Sequence, residues 1–218
     1  MLVSCIMPTY NRQDLIPVAL KCFSSQDWSD KELVVIDDGA MKVGSLVKQL
    51  VPGAVYIYLE EKQTIGTKRN LACGAARGEI VCHFDDDDWS APGRIRDQVT
   101  RLLQTGKRMT GYHSITYWNG TKAYRYVSPV SQYIVGTTMC YRKSFWDTHR
   151  FPPKNYAEDN ALVYQARAEN QLIAADARQM MVVRSHACCT TSPERLRQDT
   201  WPEVPNESLP SEFFEAIT

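Results

Sequence analysis

No run of the sequence approaches the ~20 apolar residues that a transmembrane helix needs. The first seven residues are apolar but short. They lack a basic flank and a small-residue cleavage site, and Pro8 follows them, so they do not read as a signal peptide. Net charge is missing as well: Lys plus Arg and Asp plus Glu both number 25, with no polybasic tract. That balance gives no reason to expect nucleic acid or an anionic lipid surface as partner. The seven cysteines (Cys5, Cys22, Cys73, Cys82, Cys140, Cys188 and Cys189) contain no C-x-x-C pair, which argues against a zinc site of paired ligands. Their odd number and mostly apolar surroundings point to reduced thiols used as small hydrophobes. Internal repeats are absent. What remains is a 218-residue chain of ordinary globular composition, 44% hydrophobic and 23% charged, enough for one domain. A cytoplasmic location is expected, with peripheral association at a membrane left open.

The chain has a strand–helix rhythm. Residues 3–7 read as a buried strand that Pro8 stops, and residues 8–12 as the turn after it. Leu15, Val18, Ala19, Cys22 and Phe23 then recur at helical spacing. Residues 32–36 form a second strand closed by Asp37-Asp38-Gly39, and Val43, Leu46, Val47 and Leu50 mark a helix ended by Pro52-Gly53. Residues 55–59 are a third strand. A basic loop over 62–70 leads into a small-residue helix at 71–76 capped by Gly78, and residues 80–84 are a fourth strand. Ile95, Val99, Leu102 and Leu103 give a helix ended by Gly106. Short alternating units of this kind predict an α/β sheet with mostly parallel strands. The second half reads as a smaller antiparallel part, with extended segments at 113–118, 123–127 and 137–141. Helices at 143–148 and after Asp159 follow, then short strands at 172–175 and 180–183. From Ser192 onward, prolines and charges predict a largely irregular tail that begins with a helical turn at 194–197.

Three polar clusters fall at strand carboxyl ends, where α/β sheets bind ligands: residues 8–12, Asp37-Asp38, and the run Asp85-Asp86-Asp87-Asp88 before Trp89. Four contiguous carboxylates repel one another unless they meet a cation, and hard oxygen ligands suit Mg²⁺ or Mn²⁺ shared with substrate phosphates. Asp37-Asp38 can cap the following helix or accept a base N–H or ribose hydroxyl. Lys62, Lys68 and Arg69 lie beside Gly66 in a loop entering a helix, a natural place for phosphate or else a solvated basic face. Glu158-Asp159 can cap a helix or supply a general base. His186, after the last strand, is either structural or a ligand; His83, inside a strand, reads as a core histidine. Trp118, Tyr124, Tyr126, Trp146 and Tyr156 can stack on sugar rings or fill the core.

Taken together, Pro8-Thr9-Tyr10-Asn11-Arg12, Val34-Val35-Ile36-Asp37-Asp38-Gly39, Lys68-Arg69-Asn70 with Gly78-Glu79, Asp85 to Asp88 and Glu158-Asp159 resemble family 2 glycosyltransferases of the GT-A fold, a Rossmann-like nucleotide-diphospho-sugar transferase fold, from about residue 2 to about residue 192. The resemblance implies a single catalytic domain over 1–192, with a nucleotide-binding half at 1–105, an acceptor-side half at 106–192 and a tail at 193–218. It implies inverting, metal-dependent transfer of a sugar from a nucleotide-sugar, a UDP-sugar by analogy, to a hydroxyl of a glycan or other acceptor. By position, Pro8, Thr9, Tyr10, Arg12, Asp38, Gly66, Lys68, Asp85 and Asp86 would hold the donor. Asp87 and His186 would hold Mn²⁺ or Mg²⁺. Trp89, Gly136, Thr137 and Glu158 would lie beside donor sugar and acceptor, with Asp159 the base. A sugar-phosphate nucleotidyltransferase would want a glycine-rich loop with a basic residue where Pro8-Thr9-Tyr10-Asn11 stands. A non-catalytic nucleotide- or carbohydrate-binding module would have little use for the acid pair at 158–159.

Overall fold

The computed structural model describes residues 1–177, 179–190 and 200–217. Its centre is β1 (Val3–Thr9), flanked by β2 (Lys31–Asp37) and β4 (Ile80–His83), with β3 (Val55–Tyr58) outside β2; all four run parallel. Beyond β4 the strand direction changes. The antiparallel β8 (Cys140–Arg142) joins β4 to β6 (Met109–Trp118), and β7 (Ala123–Val127) continues antiparallel beside β6. β9 (Leu172–Asp176) and β10 (Met181–Arg184) pair parallel with β6, and the two-residue β5 (Trp89–Ser90) pairs antiparallel with β10. The predicted α/β class, with a parallel part and an antiparallel annex, is therefore present as one mixed sheet.

Alternation along the strands explains why both faces are covered. In β1, Val3, Cys5 and Met7 face α1 (Ile16–Ser24) and α2 (Gly44–Leu50), together with α4 (Arg94–Thr105). Ile6 faces the other side, where α3 (Ile65–Ala75), α5 (Lys143–Thr148) and α6 (Asp159–Ala168) pack. All the residues just named on β1 are fully buried. Gly106 ends α4 with φ +67°, the left-handed C-terminal position that glycine takes without strain. No described helix is long and apolar enough to cross a membrane.

Three expectations change. Pro8 does not stop β1: it pairs with Ile36 of β2, and its missing N–H falls past Ile6, where pairing with β4 ends. The basic loop at 62–70 is largely helix. Thr64 caps α3 by accepting a hydrogen bond from the Thr67 N–H at 3.2 Å, so Lys68 and Arg69 are carried inward and buried. The tail is not irregular over its described part. β11 (Glu203–Val204) pairs with β7, and α7 (Ser211–Ile217) buries Phe213 against Trp89 and Trp118. The helical turn expected at 194–197 lies outside the described residues.

Candidate active site

The carboxyl ends of β1, β4 and β10 and the start of α6 open onto one cleft of about 830 Å³. Each aspartate of the acidic run has a different neighbour. Asp85, at the rim, meets the Arg69 guanidinium at 3.2 Å. Asp86 is buried and accepts from Arg12 Nη1 at 2.6 Å. Burial, reinforced by the Asp87 charge, pushes its carboxyl up to about 7. Asp87 Oδ2 accepts from the same Arg12 Nη1 at 2.6 Å and from His186 Nε2 at 3.1 Å. Burial alone would raise Asp87, but the His186 hydrogen bond and the Arg12 charge hold it below its ordinary range. Asp88 accepts from Thr137 Oγ1 at 2.7 Å and from the Arg184 N–H at 3.2 Å. Burial, then the charges of Asp87 and Asp85, hold Asp88 well above its ordinary value. Asp88 thus anchors the loop through Thr137 and the Arg184 N–H, and Asp87 is the member that faces the histidine.

Arg69 organises the opposite wall. Its guanidinium touches His83 and lies 3.2 Å from Asp85 and 3.3 Å from Glu158 Oε1. Burial and the Arg69 charge push the His83 imidazole well below its ordinary range, so it stays neutral and fills the core as expected. Glu158 and Asp159 are both raised, burial being the first cause and Arg69 the main offset. Ala157, just before the pair, holds φ +53°, which an alanine rarely adopts. Asp159 lines the cleft at the first turn of α6, where a helix N-terminus favours negative charge. The turn at Gly136–Thr138 runs directly beneath its carboxylate.

The cleft therefore gathers Pro8, Thr9, Tyr10 and Arg12 with Asp85 to Asp87. Gly136, Thr137, Glu158 and Asp159 line it as well. Lys68 also reaches it, but as a partner rather than a free cation: Nζ donates to Asp38 Oδ1 at 2.7 Å and to the Thr9 carbonyl at 2.9 Å. Asp38 sits behind Lys68, its second oxygen accepting from the Gln63 N–H at 2.7 Å. Its neighbour Asp37 is structural, accepting from the Gly39 and Val43 N–H groups and from the Tyr56 hydroxyl.

Four expected site residues are not among those that line the cleft: Asp38, set behind Lys68; His186, which reaches Asp87; and Gly66 and Trp89. Gly66 does not face the cleft; a β-carbon there would fall 1.9 Å from the Pro152 carbonyl, so it is glycine because α3 packs on that segment. Trp89 is 3% exposed and points into the core against Phe213, because β5 turns it away from the carboxylates. Of the aromatics, Tyr126 and Tyr156 line the cleft while Trp146 is core.

Reading the sequence missed Arg94. It is fully buried and donates to Ser90 Oγ and to the carbonyls of His83 and Thr137, tying the end of β4 to the turn under Asp159. Arg94 and Gln98 fall in phase with Ile95, Val99 and Leu102, and polar residues on an apolar helix face were the available signal.

Residues 4–161 match the family described as Glycosyl transferase family 2. The chain belongs to this family. Among family 2 relatives, a putative colanic acid biosynthesis glycosyl transferase, WcaA, of Escherichia coli K12 is 34% identical over 98 residues, 43% of this chain and 35% of that protein. Among solved structures, Staphylococcus aureus TarS 1–349 in complex with UDP-GlcNAc superimposes with TM-score 0.74 at 21% identity, covering 87% of this chain and 60% of that one. The mannosyltransferase PcManGT of Pyrobaculum calidifontis, in complex with GDP-Man and Mn²⁺, gives 0.70 at 18%, covering 87% and 58%. The sheet and its helices thus have the GT-A fold, and the chain spans only part of these proteins' length.

The fold implies a divalent ion, and the residues present fit one. Asp87 Oδ2 and His186 Nε2 converge at 3.1 Å, close to the separation of two ligands bound at about 2.0–2.2 Å to one ion.

Proposed function

We propose that the chain transfers a glycosyl residue from a nucleotide-sugar, a UDP-sugar first, to a hydroxyl of a glycan or other acceptor, with inversion at the anomeric carbon. One observation carries the reading: Asp159, a buried carboxylate with a raised pKa, opens into the same cleft as the acidic run Asp85 to Asp87. A base beside the acceptor and an acidic, cation-binding wall beside the leaving group are what direct displacement requires.

In this reading Asp87 and His186 hold the divalent ion, which when bound offsets the charge that develops on the departing diphosphate. Tyr10 faces the base of the nucleotide, and Asp85, the most exposed of the four carboxylates, takes a sugar or ribose hydroxyl. Asp159 Oδ2 removes the acceptor proton as the new C–O bond forms. Arg69 keeps Asp85 and Glu158 in place through its ion pairs. Gly136 leaves room for the carboxylate. The TarS complex with UDP-GlcNAc and the PcManGT complex with GDP-Man and Mn²⁺ support the donor class and the ion.

The test is incubation with UDP- and GDP-sugars, Mn²⁺ and a panel of glycan acceptors. Nucleoside diphosphate release and the anomeric configuration of the product are followed. Asp159→Asn should lower kcat by about 10²–10⁴ and leave nucleotide binding intact. Undiminished transfer by that variant would remove Asp159 as base; retained configuration would remove direct displacement.

A further inference from the structure

Cys189 Sγ stands beside the proposed ion site. The Asp87 carboxylate, an imidazole nitrogen of His186 and Cys189 Sγ all lie within 4.8 Å of one another. Ligands bound at about 2.0–2.3 Å to one ion must satisfy such a limit. His186 and Cys189 also share a turn: the Cys189 N–H donates to the His186 carbonyl at 3.1 Å, and Sγ accepts from the His186 N–H at 3.3 Å. Two side chains three residues apart on one turn, opposed by a carboxylate from the turn after β4, form a chelating set. The ordinary alternative is a thiol that merely fills the turn.

We propose that Cys189 is a third protein ligand of the divalent ion at Asp87 and His186, so that the site favours borderline-soft ions such as Zn²⁺ and Co²⁺ over Mg²⁺. The inference rests on the metal reading above and adds a thiolate to it. Soft sulfur selects against hard, oxygen-seeking ions, whereas a carboxylate with one imidazole does so weakly. Binding has a defined proton balance. The Cys188 N–H donates to His186 Nδ1, which leaves the ring proton on Nε2, facing Asp87. On binding, that proton shifts to Nδ1, the Cys188 N–H contact opens, and the Cys189 thiol releases its proton to solvent.

The experiment is Co²⁺ titration of the whole chain, with binding measured by equilibrium dialysis and ligation by near-ultraviolet absorption. Wild-type protein should bind Co²⁺ and develop a thiolate-to-cobalt charge-transfer band. Cys189→Ser should lose the band and weaken Co²⁺ binding at least about tenfold, with a smaller loss for Mn²⁺; Cys188→Ser should keep the band. A ¹¹³Cd NMR shift on unmodified protein gives a second reading of sulfur ligation that does not depend on any variant folding. Co²⁺ binding without a band, a band that survives Cys189→Ser, or a ¹¹³Cd shift typical of oxygen and nitrogen ligands overturns the inference. If that binding is still lost in Asp87→Asn, the metal reading stands without the thiolate. Failure of wild-type protein to bind Co²⁺ or Mn²⁺ at all takes down both.

Discussion

A β-carbon on Gly136 would lie 1.5 Å from Oδ2 of Asp159. The carboxylate therefore rests on bare backbone, and the glycine is there for the aspartate rather than for its own φ. Gly136→Ala should push Asp159 off its position and lower kcat by on the order of 10²-fold. Nucleotide affinity, read by calorimetry with UDP or GDP, should change little. Unchanged kcat would mean that Asp159 does not work from this position.

The raised pKa of Asp159 gives two pH dependences of opposite sign. In the proposed role of base it would work only when ionised, so kcat should rise with pH through a value above the ordinary 3.8 and fall on the acid side. For stability, the unfolded chain ionises this carboxyl at its ordinary value while the folded chain keeps the proton. Its contribution is complete at low pH and is lost as pH rises through the folded-state value. A kcat–pH profile measures the first. Melting temperatures of wild type and Asp159→Asn measure the second, and the variant should show a shallower decline across that window.

Arg69 is the buried countercharge of Asp85 and Glu158. Removing one partner of a buried ionic group leaves the others uncompensated, so Arg69→Met should cost about 3–5 kcal/mol in denaturant unfolding. Arg69→Lys should recover only part of this, because one ammonium cannot span His83, Asp85 and Glu158 as the guanidinium fork does. Full recovery by lysine would show that charge alone, not fork geometry, matters.

Phe213 in α7 is fully buried, with its ring 6.1 Å from that of Trp89 and 5.3 Å from that of Trp118. Phe213→Ala should therefore destabilise the fold by about 3–5 kcal/mol, with a matching change in tryptophan fluorescence. A cost below 1 kcal/mol would mean that the helix contributes little to the core.

The parts of the fold legible in the sequence were those with strong local periodicity. Short continuous apolar runs at 32–36 and 80–84, and the helical spacing at Ile95, Val99 and Leu102, needed only local geometry. The acidic run was legible because charge density after a buried strand is costly without a purpose, and the pair at 158–159 because two acids stand together at a helix start. What stayed hidden depends on packing across the chain. Pro8 could remain in a strand because β4 ends first, which no local rule contains. Gly66 resembled a phosphate-loop glycine but answers to Pro152, far along the chain yet packed directly against it. Trp89 follows the aspartates in sequence, yet strand alternation turns it to the opposite side. The register of the acidic run needed His186 and Thr137 in space, and the order in the last residues needed Trp89 and Trp118 as a surface to pack on.

The join between β4 and β8 also bears on how the enzyme can move. The turn that carries Asp87 follows β4, the turn beneath Asp159 leads into β8, and moving the two apart would break the Ile80–Cys82 pairing with Cys140–Arg142. A crosslink between β4 and β8 should therefore leave the proposed glycosyl transfer running.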